Sequence, residues 1–175
     1  LIAVAFFFIV KGSIFFNFLI LVVLAITLYE WHFLSLKKIY YLPGFIFIIF
    51  SLYTCYFLRS ESDYKIFLLI LITCISTDIG GYVFGKILKG PKLTKISPNK
   101  TYAGMMGSFL LSIISASLYF NNLSFFSLSK GDGELGIQIM IIVLFISFVS
   151  QFGDLVISFF KRKSKIKNTG NIIPG

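Results

Sequence analysis

The chain has 175 residues, of which 57% are hydrophobic, 22 are Phe and 13% are charged, a composition that excludes an ordinary soluble globular domain. Its net charge of +9 would suggest nucleic acid in a soluble protein. Here the charge is topological, because Lys and Arg collect in the cytoplasmic loops of membrane proteins, and no separate basic domain is present to bind DNA or RNA. The expected fold class is all-α, a polytopic integral membrane helical bundle forming a single domain over residues 1–175.

In chain order, Leu1–Val10 is apolar but too short to span, and reads as the end of a helix begun upstream, punctuated by Lys11-Gly12. Five candidate spans follow at 14–29, 41–58, 66–85, 102–120 and 135–160. Each is near the length that a hydrocarbon core of about 30 Å requires at some tilt. Trp31 and His32 follow the first span as interfacial residues. Cys55 and Cys74 lie inside apolar runs, without C-x-x-C spacing, and read as lipid-buried or core thiols. The start at Leu1, with no basic n-region, gives no support for a signal peptide. With the stop at Pro174-Gly175, it makes a fragment, incomplete at both ends, the expectation.

The loops set the orientation. Lys86–Thr101 carries Lys86, Lys89, Lys92, Lys95 and Lys100 with no acid, and five more basic residues follow Phe160. Arg59–Lys65 and Asn121–Glu134 are balanced by acids. The two cationic loops are therefore expected on the cytoplasmic side, an even number of spans apart.

Only two acids lie within the spans, Asp78 and Asp154. Ionisable groups at such depth are costly and tend to mark function. Asp78 precedes Lys86 by eight residues and Asp154 precedes Lys161 by seven, on helices running the same way, so both carboxylates reach a similar depth on the cytoplasmic side. Ser147, Gln151, Asp154, Ser158, Lys161 and Lys165 form one helical stripe leading into the cationic cluster. A purely structural role leaves the matched acids unexplained. Asp78, Gly81 and Gly85 share a face, where the glycines by themselves read as ordinary helix-association residues. Ser97 suits an N-cap and Pro98 a first helical position, so the fourth helix is expected to open there, its N-terminus and Lys100 ready for phosphate. Two carboxylates can hold a divalent cation, while lysines and a helix N-terminus hold phosphates, with an amphiphilic acceptor at the headgroup boundary.

Three stretches resemble the phosphatidate cytidylyltransferases, or CDP-diacylglycerol synthases. They are Asp78-Ile79-Gly80-Gly81-Tyr82 with Phe84-Gly85-Lys86; Ser97-Pro98-Asn99-Lys100-Thr101 with Gly104; and Gly153-Asp154-Leu155 with Ser158-Phe159-Phe160-Lys161-Arg162, continuing through Lys167 to Ile173-Pro174-Gly175. The resemblance implies transfer of CMP from CTP to phosphatidic acid, giving CDP-diacylglycerol and pyrophosphate with Mg2+ as cofactor. It implies Asp154, Lys161 and Asp78 as catalytic residues, with Asp154 and Asp78 on the metal. It places Ser97, Lys100, Thr101, Ser158, Arg162, Lys167 and Lys86 in substrate binding.

The chain departs from the family pattern at Ala103 and Ile157, where Glu is usual, and at Asn168, where Asp is usual. A further metal carboxylate is expected beyond Gly175, so the fragment itself is expected to be inactive. The implied partners are CTP, phosphatidic acid and bilayer lipid, with a homodimer as a further expectation and no nucleic acid. The implied location is the bacterial inner membrane, with the site on the cytoplasmic side. Two other readings compete: another membrane transferase acting on a lipid phosphate, and a transporter using the two acids as midplane sites.

Overall fold

The computed structural model describes residues 2–35, 40–94, 97, 100–119 and 133–163. Six helices account for nearly all of them: α1 (Ile2–Lys11), α2 (Ser13–Ser35), α3 (Tyr41–Glu61), α4 (Tyr64–Leu88), α5 (Tyr102–Tyr119) and α6 (Gly133–Lys163). Five segments within them are long and apolar enough to cross a membrane: Ile14–Phe33, Tyr41–Glu61, Tyr64–Leu88, Tyr102–Tyr119 and Gly136–Phe160. A helix is the natural state for such segments, because hydrocarbon offers no partner to a backbone N–H or C=O and the helix satisfies both internally. The chain is an integral membrane protein with an all-α fold, and its exposed Phe, Ile and Leu side chains meet lipid rather than water.

Five spans lie near the expected positions, and three of them run longer, the second reaching Glu61 and the third covering Tyr64–Leu88. The first runs on through Glu30, Trp31 and His32 rather than stopping at Tyr29. Its polar end is tied to the next helix: Trp31 Nε1 donates to Tyr41 O at 3.0 Å, and His32 Nδ1 lies 2.9 Å from the Tyr41 hydroxyl. With these partners the polar side chains continue the helix instead of ending it.

The chain divides into two compact units, one of residues 1–67 with 161–175 and one of residues 68–160. In the first, the α1–α2 junction is a tight break at Gly12, whose φ of 65° lies in the left-handed region that glycine adopts without strain. Gly12 N donates to Phe8 O at 3.0 Å. Arg59 Nε donates to Ile9 O at 3.0 Å, so a long-range cation satisfies one of the last carbonyls of α1. The same guanidinium faces the rings of Phe16 and Tyr64 at 5.9 and 5.8 Å. Phe16 meets Phe67 edge-on at 5.5 Å. Between α2 and α3, a Cβ at Gly44 would fall 1.9 Å from the Trp31 ring, so the indole occupies the space that only glycine leaves.

The second unit is built differently. Its apolar core is small, Leu69, Ala116 and Val143 with Tyr119 and Ile139 against it. Most of its other buried positions are hydroxyl-bearing or glycine: Thr73, Ser76, Thr77 and Gly80 on α4, Gly104, Gly107, Ser108, Ser112 and Ser117 on α5, and Ser147 on α6. Between helices in lipid there is no hydrophobic driving force, so close backbone approach and interhelical hydrogen bonds hold the contact. Both are present. A Cβ at Gly80 would lie 2.6 Å from Gly107 O, and one at Gly104 would lie 2.7 Å from Gly81 O. Ser108 Oγ donates to Thr77 O at 2.7 Å, and the Thr77 and Ser147 hydroxyls are 2.9 Å apart, joining α5, α4 and α6.

A candidate membrane-embedded active site

The loop between α4 and α5 positions the first cation of the site. Lys89 (φ 52°) and Gly90 (φ 99°) turn the chain out of α4. An antiparallel bridge then joins Lys92 to Thr101, with Leu93 N donating to Lys100 O at 2.7 Å and Tyr102 N donating to Pro91 O at 3.1 Å. These bonds correct the expected start of α5. The helix begins at Tyr102, and its N-cap is Thr101, whose Oγ1 accepts from Gly104 N at 3.1 Å. Ser97 is no cap; its N donates to Thr94 Oγ1, and its carbonyl accepts from Lys100 N at 3.1 Å. A helix starting near Pro98 would need the Lys100 carbonyl for itself, and the bridge has taken it. The terminus also offers fewer free donors for phosphate than the sequence suggests, since the Tyr102 and Gly104 N–H groups are both engaged.

Within the second unit, α4, α5, α6 and this loop enclose a cavity of about 280 Å³. Five of the expected residues line it: Asp78 from α4, Ser97, Lys100 and Thr101 from the loop and cap, and Asp154 from α6. The two span acids, 76 positions apart, share one cavity. Lys100 Nζ lies 2.7 Å from Asp154 Oδ2, an ion pair with the lysine side chain 28% and the aspartate 54% exposed. The close α4–α5 crossing at Gly81 and Gly104 forms part of the wall, and Thr77 and Ser108 line it as well.

Of the other expected residues, Lys86 and Ser158 belong to the same unit and do not line the cavity. Lys86 Nζ lies 3.4 Å from the Tyr82 hydroxyl and 5.5 Å over its ring, and it is Tyr82 that lines the cavity. Ser158 is half-buried one turn beyond Asp154 without reaching the lining. Arg162 is exposed at the end of α6; Lys161 lies in the same helix, its side chain not among those described. Lys167 and Asn168 lie outside the described residues, as do Pro98, Asn99 and the Ile173-Pro174-Gly175 stretch. Thr77, Ser108 and Gln151 are cavity residues that no motif singled out. Gln151 was nevertheless visible in the sequence as the member of the polar stripe one turn before Asp154. Its Nε2 is buried and has no hydrogen-bond partner.

The donor set bears on which cation could be held. Among the described residues no group of three or more His, Cys, Asp and Glu is placed to hold a metal. Two carboxylates in one cavity fit Mg2+ instead, which keeps several waters and is commonly held by one or two carboxylates together with substrate phosphates. Asp78 and Asp154 would be those carboxylates. A cavity within membrane-spanning helices, carrying two acids and a lysine, has the chemistry of a site for phosphorylated substrates.

The chain belongs to the cytidylyltransferase family, whose model matches residues 39–175. It is similar to the phosphatidate cytidylyltransferase of Rickettsia bellii, 38% identical over 153 residues, covering 83% of this chain and 64% of that protein. It is 32% identical to that of Rickettsia typhi over 171 residues, covering 93% of this chain and 72% of the relative. Against the Bacillus subtilis enzyme of the same name it is 40% identical over 101 residues, 57% of this chain and 35% of that protein. The chain thus spans just under two thirds of the Rickettsia bellii relative and about a third of the Bacillus subtilis one. No solved structure matches it.

Proposed function

We propose that this chain supplies the membrane-embedded site of a phosphatidate cytidylyltransferase, an enzyme that joins CTP to phosphatidic acid to give CDP-diacylglycerol and pyrophosphate. The observation that carries the reading is the cavity that gathers Asp78, Asp154, Lys100 and Thr101 inside membrane-spanning helices. The family match and the printed names of the bacterial relatives support the same reaction. A phosphate oxygen of the lipid forms a bond to the α-phosphorus of CTP, the bond from that phosphorus to the β-bridging oxygen breaks, and pyrophosphate leaves with the electron pair. A bound Mg2+ would supply charge neutralisation on the polyphosphate. Lys100 is the described cation best placed to hold a phosphate oxygen, exchanging its carboxylate partner for it. Thr101 fixes the start of α5 and with it the backbone beside Lys100. Ser97 contributes to the lining. The resemblance adds Lys161 as a catalytic residue and Ser158, Arg162, Lys167 and Lys86 as substrate-binding ones.

The proposed location is the bacterial inner membrane with the site on the cytoplasmic side. The run of lysines without an acid from Lys86 to Thr101 supports that sidedness. Impermeant cysteine labelling of intact cells tests it, with labelling of this loop expected only after the membrane is opened.

The activity is tested with membranes containing the full-length protein, labelled CTP, phosphatidic acid and Mg2+, followed by extraction of labelled lipid. Asp154→Asn is expected to lower turnover about a hundredfold or more while insertion is unchanged, the scale of losing a preorganised charged group at a reacting centre. Near-normal turnover of that variant at saturating Mg2+ would remove Asp154 from the site.

A further inference from the structure

We infer that Gln151 reads the lipid substrate, donating a hydrogen bond from its carboxamide to an ester carbonyl of the diacylglycerol moiety. This rests on the cytidylyltransferase reading above and names a contact that the reading does not supply. Among the described residues, Gln151 Nε2 is the one buried side-chain nitrogen or oxygen without a partner. It belongs to a residue that lines the cavity. A buried amide N–H left unpaired is costly, so its natural complement is an acceptor brought by a ligand.

The lining around it narrows the identity of that acceptor. The other polar groups nearby are already committed: Ser108 Oγ to Thr77 O, and the Thr77 hydroxyl between Thr73 O and Ser147. The charged groups of the cavity, Asp78, Lys100 and Asp154, are carried by other positions, and Gln151 precedes Asp154 by three residues on α6. That is about 4.5 Å along the axis, away from the cationic end of the helix and toward the middle of the span. Near that level the described lining is Thr77, Asp78, Ser108 and small or apolar residues such as Gly81 and Met105, an acid and no second cation. A phosphate there would be desolvated without a counter-ion, whereas a neutral carbonyl would only exchange one hydrogen bond for another.

Phosphatidate presents such a carbonyl in that direction. With its phosphate beside Lys100, its ester carbonyls follow a few bonds away toward the bilayer centre, and its acyl chains run on into hydrocarbon. The nucleotide approaches from water, and its base has no comparable reason to lie on the mid-bilayer side of its phosphates. A base carbonyl as the acceptor is the outcome against which the test is set.

The test compares diacyl phosphatidate with a dialkyl ether analogue of equal chain length, which keeps the phosphate and lacks both carbonyls. The full-length wild-type protein in proteoliposomes is expected to show a KM for the ether lipid raised roughly five- to tenfold, the size of one hydrogen bond. Gln151→Leu, and the near-isosteric Gln151→Met in case the first assembles poorly, are expected to raise the KM for the diacyl lipid by a similar factor. Their diacyl-to-ether ratio should fall to about one, with the KM for CTP unchanged. A ratio preserved in the variants, or a shift falling on CTP, overturns the inference, as does a full-length wild-type protein that treats the two lipids alike. A full-length protein that makes no labelled lipid from either substrate would instead overturn the cytidylyltransferase reading itself.

Discussion

The two compact units place their polar groups in opposite ways. In the first, the long-range polar contacts come from helix ends and serve the backbone: Arg59 caps α1 through Ile9 O, and Trp31 reaches Tyr41 O. The packing around them is aromatic, and α3 buries none of its 21 residues. In the second, hydroxyls line the interior, glycines let α4 and α5 approach backbone to backbone, and the charged cavity opens among the same helices. Small residues leave room that large ones would fill. An interior of Ser, Thr and Gly is therefore compatible with a cavity, and an aromatic interior is much less so.

Substitutions can break this contrast, and the largest effect belongs to the helix crossing. Gly80→Val places methyl groups where Gly107 O already lies 2.6 Å from an ideal Cβ, so α4 and α5 must separate. A loss of about 3 kcal/mol or more is expected in detergent unfolding, together with loss of activity. A variant of unchanged stability would mean that the crossing is not held by close approach. Next comes Lys100→Met, which removes the partner of Asp154 without touching the crossing. The KM for phosphatidate should rise about tenfold to a hundredfold, the scale of a charge-assisted hydrogen bond, while the unfolding midpoint stays within error.

Smaller effects sharpen the comparison from the other side. Arg59→Gln removes the cap on Ile9 O and the stacking on Phe16 and Tyr64. It should cost about 1 kcal/mol of stability and leave the KM values for both substrates unchanged. A change in KM would show that the first unit shapes the site. Gly153→Ala is the mildest, since a Cβ there meets nothing within 4 Å. Helix propensity alone predicts a gain of up to about 1 kcal/mol. Impaired turnover in this more stable variant would show that Gly153 is kept small for a substrate rather than for packing.

Much of this was legible in the sequence because it depends on local composition. The five spans follow from runs of apolar residues, and the shared cavity of Asp78 and Asp154 follows from counting each acid back to its cationic flank. The start of α5 was not legible. Ser97-Pro98 and Thr101 are both acceptable helix openings by local chemistry, and the choice is made by the bridge from Lys92 to Thr101, a pairing that no local rule supplies. Arg59 was legible as a charge in a balanced loop, but its partners lie as far away as Ile9. The lone amide of Gln151 was visible only as one more polar residue in a stripe, because an unsatisfied atom can be recognised only when all of its neighbours are known.

The pairing of Lys100 with Asp154 also matters to the order in which the protein is made. The lysine precedes the aspartate by 54 residues, so during synthesis from the N-terminus it is in place before α6 leaves the ribosome. An acid entering a bilayer alone carries its full insertion cost, whereas one that meets a waiting counter-charge carries less. Insertion of α6 is thus eased by the chain already assembled.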